Sequence, residues 1–564
     1  MEEAVTAGES LASLAKEYWE ERMANEPVFA TALGDRRFDD MLPDISPDGR
    51  ARIEEQYRLI VSRCNGISDG SLRSMDRLTK TALLVDAGSA FQYYSCNLED
   101  WVVDPLQGLQ VELMNVESYQ PVRNVQEGRT MVKRWQAIGS FVDQHIANLR
   151  TGASEDRVAV RAAVEKVIDE LGDLATKPDS EWPLLRPLAT KHDDWTEEER
   201  KEFNVGIETA VRESARPGFA RYLEFLKSEI LPKARPQEKP GVMHIPGGEQ
   251  VYCNLIEVHT SLHIAPKDIH QTGLGEVAKI NGEMEILGER VFGTPDRKEI
   301  LRRLRSDRAM YFSSRDEVED TARKALAKAN AAISQWFGRL PRTPCEVVRM
   351  EEHEEKHSTI AYYRPPAADG SRPGRYYINT SAPETRPRYE AEALAFHEAV
   401  PGHHLQIAIA QELEGIPEFR KNSGVTAFIE GWGLYSERLS DEMGLYTSDV
   451  DRLGILSYDS WRACRLVVDT GMHAMGWTRE QAIEYMLENS ALAKNNIINE
   501  VDRYITWPGQ ALAYKTGQLE ILGLRSAAMM RLGSSFDIKR FHDVLLGNGA
   551  VPLQALREVM GVYS

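Results

Sequence analysis

One stretch narrows the options for this chain more than any other: Ala395-Phe396-His397-Glu398-Ala399-Val400-Pro401-Gly402-His403-His404-Leu405-Gln406. Its apolar residues favour a helix. Its Pro-Gly pair stops that helix from running straight through, because proline removes a backbone donor and crowds the preceding turn. On an unbroken helix His404 shares nearly the same face as His397, while His403 points roughly 120° away. A local bulge at Pro401-Gly402 reverses the choice, so His403 is favoured as the partner of His397, with His404 as the alternative. Two imidazoles hold a divalent metal, and a carboxylate beside the first of them, Glu398, is placed to take a proton from water. The familiar arrangement is His-Glu-x-x-His on one helix; here Pro401 stands where the second histidine belongs. The competing reading is a histidine-rich turn satisfied by hydrogen bonds in a core.

A third ligand should come from a neighbouring helix. Phe428-Ile429-Glu430-Gly431-Trp432-Gly433-Leu434-Tyr435-Ser436-Glu437 follows at the separation expected of an antiparallel helix pair. Glu430 and Glu437 share one otherwise apolar face, and a glutamate on such a face needs a partner. Glu430 is the expected ligand and Glu437 the expected hydrogen-bond partner of a ligating histidine. The plain alternative for Glu437 is a salt bridge to an arginine. A two-histidine, one-carboxylate set also suits non-haem iron, but Glu398 favours hydrolysis.

His-Glu-Ala-Val-Pro-Gly-His-His-Leu-Gln, Glu-Gly-Trp-Gly-Leu-Tyr-Ser-Glu and the later Trp507-Pro508-Gly509-Gln510-Ala511-Leu512-Ala513-Tyr514-Lys515 resemble the bacterial domain-of-unknown-function 885 family. The resemblance runs through most of the chain and is densest after Tyr252. That family is similar to gluzincin metallopeptidases, in which a glutamate is the third zinc ligand. The resemblance implies a mainly α-helical, two-lobed, zincin-like enzyme with a small β-sheet beside the metal helix. It implies no particular substrate.

Composition sets the outer limits. With 564 residues, 42% hydrophobic and 27% charged, the chain has ample material for a core. A formal net charge of -19 disfavours nucleic acid and anionic membranes as partners. No apolar run reaches the length of a membrane helix. Met1-Glu2-Glu3-Ala4-Val5 lacks the basic and apolar regions of a secretory leader. Cys64, Cys96, Cys253, Cys345 and Cys464 are scattered, without a paired motif. The expectation is a cytoplasmic protein with reduced thiols.

Along the chain, helical periodicity covers roughly 7–24, 47–64, 73–97, 126–149 and 156–171, and Thr196-Glu197-Glu198-Glu199 opens a long helix by a capping box. The proline- and charge-rich stretch from Leu231 to Gly241 marks a boundary, giving an N-terminal helical lobe at 1–235 and a metal-binding lobe at 236–564. Residues 251–264, with His259 and His263, mix β-branched and aromatic side chains and pattern as extended. Cys345 to Met350 and Ser358 to Tyr363 pattern as paired strands. The polar turn between them holds His353 and His357, which are spaced like ligands but sit among charges. Arg375 to Thr380 is a further strand, resembling the edge strand along which zincin-type peptidases lay a substrate. Its Asn379 is a candidate for a substrate's backbone or for capping the next turn.

Later in the chain, Arg462, Arg465, Asp469 and His473 form a polar stripe on an apolar helix, and Asp469 with His473 has the spacing of an oriented imidazole. A buried ion-pair lattice is the alternative. Around the Trp507-Pro508-Gly509 break stand Arg503, Tyr504, Gln510, Tyr514 and Lys515. Tyr514, then His473, are candidates to stabilise an oxyanion. Arg503 and Lys515 are candidates for a peptide's terminal carboxylate, with Tyr504 lining the same site. Ordinary helix packing is the alternative for the whole group.

Together these readings predict one Zn2+ held by His397, His403 and Glu430. Glu398 is the general base for cleaving an amide, most simply in short peptides. A metal-dependent hydrolase of a non-peptide amide or ester uses the same residues, and an inactive helical binding protein needs none of them.

Overall fold

Residues 6–351, 355, 359–366, 372–422, 424–561 and 563 are described by a computed structural model. His353 and His357 lie outside the described residues. The chain is mainly helical, with one small sheet. Helices Ala7–Asn25, Pro47–Asn65 and Ser74–Ser95 follow the apolar periodicity closely, Val125–Ser154 runs on past the expected end, and Arg161–Thr176 starts and ends later than expected. The Thr196 capping box is formed as its spacing requires.

Two units divide the chain: Met1–Ala12, Ile67–Ser89 and Tyr252–Ser564 make one, and Ser13–Gly66 with Ala90–Val251 makes the other. The division therefore falls after Val251 and not at residue 235. The reason lies in Arg235, whose guanidinium donates to the carbonyls of Val158, Lys239, Pro240 and Gly241. Those bonds draw the proline-rich stretch into the unit that precedes it. In that unit the long helix Val125–Ser154 buries Trp135, Ile138 and Val142 with Ile207, Phe219 and Tyr222.

The unit containing His397 is built around the buried helix Asp449–Ala474, whose residues from Leu453 to His473 are nearly all inaccessible. It packs along helix Pro266–Phe292. Residues 251–264 are not extended: most of them belong to helix Gly248–Thr260. Their β-branched and aromatic side chains instead serve one buried helical face through Tyr252, Leu255 and Ile256.

The sheet also differs from expectation. Strands β1 (Cys345–Arg349), β2 (Ala361–Arg364) and β3 (Gly374–Ile378) lie in the order β1-β3-β2. β3 pairs in parallel with β1 and antiparallel with β2. It is thus the centre strand, with both backbone edges committed, and offers no free edge to an extended ligand. β1 and β2 do not pair with each other, because β3 inserts between them. The buried side of β3 carries Tyr376 and Ile378 into the core that also holds Phe396, Trp432 and Tyr435.

Candidate metal centre

The His397 stretch forms two short helices, Ala391–Glu398 and His403–Gln411, separated by a four-residue corner. The corner contains a cis Val400–Pro401 peptide. Gly402 is needed there for space: a Cβ would lie 1.9 Å from the carbonyl oxygen of His397 and 2.4 Å from that of Phe396. The helix Thr426–Glu442 fastens the corner from outside. The Trp432 indole donates to the carbonyls of Pro401 at 2.9 Å and Gly402 at 3.2 Å, and the Ser436 hydroxyl donates to Pro401 at 3.3 Å. Carbonyls stranded by the helix break thereby find donors.

Glycines set how close that helix comes. At Gly433 a Cβ would stand 2.6 Å from the His397 ring, so the imidazole rests against bare backbone. At Gly431 it would meet the Cα of Gly517 at 2.5 Å, and at Gly517 it would meet the Ala427 carbonyl at 1.8 Å. The helices Thr426–Glu442 and Leu512–Leu532 therefore cross backbone to backbone beside Glu430. That crossing carries Tyr514, one turn before Gly517, toward Glu430, whose charge helps raise the phenol's pKa after burial itself.

Three side chains converge. The Nε2 of His397 lies 3.5 Å from Glu430 Oε2, and the Nε2 of His403 lies 3.6 Å from the same oxygen. One donor atom from each of the three residues lies within 4.8 Å of the other two. Such separations exceed ordinary hydrogen bonds. They match ligands at 2.0–2.1 Å around a tetrahedral ion, which stand about 3.4 Å apart. The residues thus fit a zinc-sized divalent ion. His397 turns its other nitrogen outward, Nδ1–H donating to Glu437 Oε1 at 2.8 Å, the carboxylate support that fixes a ligating imidazole. His403 packs edge-on to His397, with ring centroids 4.6 Å apart. Its buried Nδ1 has no hydrogen-bond partner among the described residues.

The electrostatics set carboxylates against imidazoles. Burial alone pushes the His397 imidazole down, but Glu430 and Glu437 outweigh it and hold the pKa up at about 9. Burial pushes Glu430 up, yet its contacts with both histidines bring it well below the usual carboxylate range. Glu398 has its pKa raised by burial, a rise that the nearby imidazoles oppose without cancelling.

The other candidates divide. His404 is spent on structure: Nε2–H donates to the Thr343 carbonyl at 3.0 Å, and Nδ1 takes the Tyr363 hydroxyl at 2.9 Å. No ring nitrogen remains for an ion. Asn379 caps its own loop, donating to the carbonyls of Glu355 and Thr359 and accepting from Ser381. His473 is buried and donates from Nε2 to the Tyr504 carbonyl at 2.9 Å. Its helical neighbour Asp469 accepts from the Tyr252 hydroxyl at 2.6 Å and the Gly509 amide at 3.1 Å. Lys515 is locked to Asp459 at 2.6 Å and Glu276 at 3.0 Å, with Arg438 on the far side of Asp459. The Tyr504 hydroxyl accepts from Trp461 and Arg465 and donates to Glu500. Arg503 reaches Glu500 and Gln510. Of the residues expected to bind substrate, Asn379, Tyr504 and Lys515 are therefore committed to the protein itself.

Sequence reading passed over the clamp made by Trp432 and Ser436, and over the glycines at 431, 433 and 517. The signal was present in the Gly-Trp-Gly string beside Glu430, where small residues at alternate positions mark a close backbone approach. It also passed over the roles of Tyr363, Thr343 and Tyr252, which are far away in sequence.

The helical body and this cluster describe a protein with a buried two-histidine, one-glutamate site. The family model described as "Bacterial protein of unknown function (DUF885)" matches residues 27–560, so the chain belongs to that family. The fold is similar to the crystal structure of a "putative lipoprotein" from Colwellia psychrerythraea, with a TM-score of 0.90 and 27% identity over 99% of each chain. It is also similar to a "putative lipoprotein of unknown function" from Shewanella oneidensis, with a TM-score of 0.76 and 19% identity, covering 98% of this chain and 99% of that one. No curated protein matches the sequence. No helix among the described residues is long and apolar enough to cross a membrane.

Proposed function

We propose that this protein is a zinc-dependent hydrolase of the gluzincin kind that cleaves amide bonds in short peptides. The observation that carries the reading is the convergence of His397, His403 and Glu430 with Glu398 directly beside the first histidine. A zinc ion held by those three side chains supplies Lewis acidity and makes water a usable nucleophile near neutral pH. Glu398 takes a proton from the attacking water and returns it to the leaving nitrogen. Its burial, opposed but not cancelled by the two imidazoles, raises its proton affinity above that of a solvated carboxylate, which favours the return step. Tyr514, brought beside Glu430 by the glycine crossing, is the group that donates to the developing oxyanion. Glu437 keeps the Nε2 of His397 directed inward through its bond to Nδ1.

Metal analysis of the purified protein together with a peptide-library assay tests the reading. Close to one zinc per chain and chelator-sensitive cleavage are expected. Glu398→Gln should keep the metal and lose about 10²–10⁴-fold in kcat. A variant that cleaves as fast as the wild type removes Glu398 from the mechanism, and a protein that binds no metal removes the site.

A further inference from the structure

The helix Asp449–Ala474 carries two arginines whose burial the protein does not account for by itself. Arg462 is 5% exposed and Arg465 is 2% exposed. The Arg462 guanidinium lies 4.5 Å from the Tyr458 ring centroid and 4.0 Å from that of Trp461. Arg465 lies 4.4 Å from the Trp461 ring and 4.3 Å from that of Tyr514. A run of alternating rings and cations thus leads from Tyr458 to Tyr514, the residue beside Glu430.

These stacks cover the faces of the guanidinium groups and leave their N–H edges to find acceptors. Arg465 finds two, the Tyr504 hydroxyl and Glu500, but its Nη1 has none. Arg462 is more exposed to this deficit: both Nε and Nη1 are buried without a hydrogen-bond partner among the described residues. Arg503 joins the cluster, sharing Glu500 with Arg465 and leaving its own Nε unpartnered. Arg465 and Arg503 share the carboxylate of Glu500, whereas Arg462 makes no ion pair among the described residues, in a protein whose formal net charge is -19. A buried donor left without an acceptor is destabilising, and more so when it is charged. A fork of N–H groups with its faces held by aromatic rings matches a carboxylate, which accepts two parallel bonds.

The position points to the ligand. Arg462 and Arg465 share the Trp461 ring, and Arg465 covers the Tyr514 ring, which the Gly431–Gly517 crossing carries toward Glu430, so the unpartnered donors lie in the same part of the fold as the metal-type cluster. We propose that Arg462, backed by Arg465, receives the C-terminal carboxylate of a peptide bound at the His397–His403–Glu430 centre. This assignment rests on the hydrolytic reading above and adds to it that cleavage is counted from the free C-terminus.

Binding calorimetry on the full-length Glu398→Gln protein, which leaves peptides intact, tests this without relying on turnover. The probes are acetyl-trialanine, its C-terminal amide, and the amide of acetyl-Ala-Ala-Asp. The free acid should bind at least about tenfold tighter than its amide, a difference that one buried charge-assisted contact readily provides. Arg462→Met should abolish that difference, and Arg462→Lys should restore part of it. Should Arg462→Met not fold, the lysine variant and the acid–amide comparison still decide. Equal binding of acid and amide, an undetectable acid, or a preference that survives Arg462→Met overturns the proposal. A stronger preference for the aspartyl amide than for the free acid overturns the terminal carboxylate in favour of a side-chain carboxylate. Measuring whether the purified protein binds zinc, alongside the titration, separates the two readings. A protein without metal, still preferring the acid through Arg462, keeps the anion pocket and loses the hydrolase.

Discussion

Arg134 and Arg462 are both buried arginines, one in each unit, and the protein treats them in opposite ways. Arg134, in the unit of Ser13–Gly66 and Ala90–Val251, is fully inaccessible. It donates to the carbonyls of Met41 and Phe38, to Gln120 and to the Thr31 hydroxyl, all between 2.7 and 2.9 Å. Every edge of its fork is used, and it ties distant stretches of chain into one body. Arg462, in the unit that carries His397, is held by aromatic faces and donates from neither Nε nor Nη1. The first pattern is what stability requires of a buried cation. The second is what a site requires, with donors oriented in advance and kept unspent. Burial alone does not separate the two roles; the count of satisfied N–H groups does.

The largest effect expected from this contrast is on stability. Arg134→Met strips several buried acceptors of their donors at once and should cost about 3–5 kcal/mol, read from chemical denaturation. A loss under 1 kcal/mol would mean that Arg134 is not the tie its geometry describes.

The next test lies within the helix Asp449–Ala474, where Asp459 and Asp469 repeat the contrast. Asp459 is clasped by Lys515 and Arg438. Burial pushes its pKa up, but those two cations outweigh burial and hold it far below the usual range. Asp469 has neutral donors from Tyr252 and Gly509, and burial raises its pKa from 3.8 to about 7. The folded state therefore holds a proton that the unfolded state releases between pH 3.8 and about 7. Stability contributed by this group is full below that window, falls as pH rises through it, and stays flat above it. The span corresponds to about 4 kcal/mol. Asp469→Asn should remove that component of the pH slope in denaturation curves measured across the window, and an unchanged slope would refute the assignment.

Smaller again is the effect of Glu437→Gln, which keeps an acceptor for His397 Nδ1 but removes its charge. Metal affinity should fall about 10–100-fold in chelator competition, with little change in the melting of the metal-free protein. The smallest stability change belongs to Arg462→Met. Since the Arg462 Nε and Nη1 make no hydrogen bond to lose, unfolding free energy should stay within about 1 kcal/mol of wild type, the direct opposite of Arg134→Met.

How much of this was legible in the sequence depends on the distance over which each feature is encoded. Helices written by local periodicity, such as Ala7–Asn25 and Pro47–Asn65, were readable to within a residue or two. The meeting of His397, His403 and Glu430 was readable because the corner and the neighbouring helix are close in sequence. The bulge at Pro401-Gly402 favoured His403 over His404, and His403 is the one that converges; what occupies His404 was not readable, since it turns on Thr343 and Tyr363, whose positions no local pattern fixes. The strand order failed for the same reason. β1 and β2 looked like each other's partners until β3 came between them. Lys515 and Tyr504 were candidates for substrate because their partners, among them Asp459 and Trp461, come from other elements, whereas for Asn379 the alternative of capping the next turn is the one formed.

The helix Thr426–Glu442 supplies Glu430, the Trp432 and Ser436 donors, bare backbone at Gly433, and the Glu437 brace. Because these duties fall on one rigid rod, sliding it by a single residue would undo them all simultaneously, since each residue turns about 100° around the axis. The centre is accordingly assembled as a unit or not at all, and partial versions of it have no scaffold on which to persist.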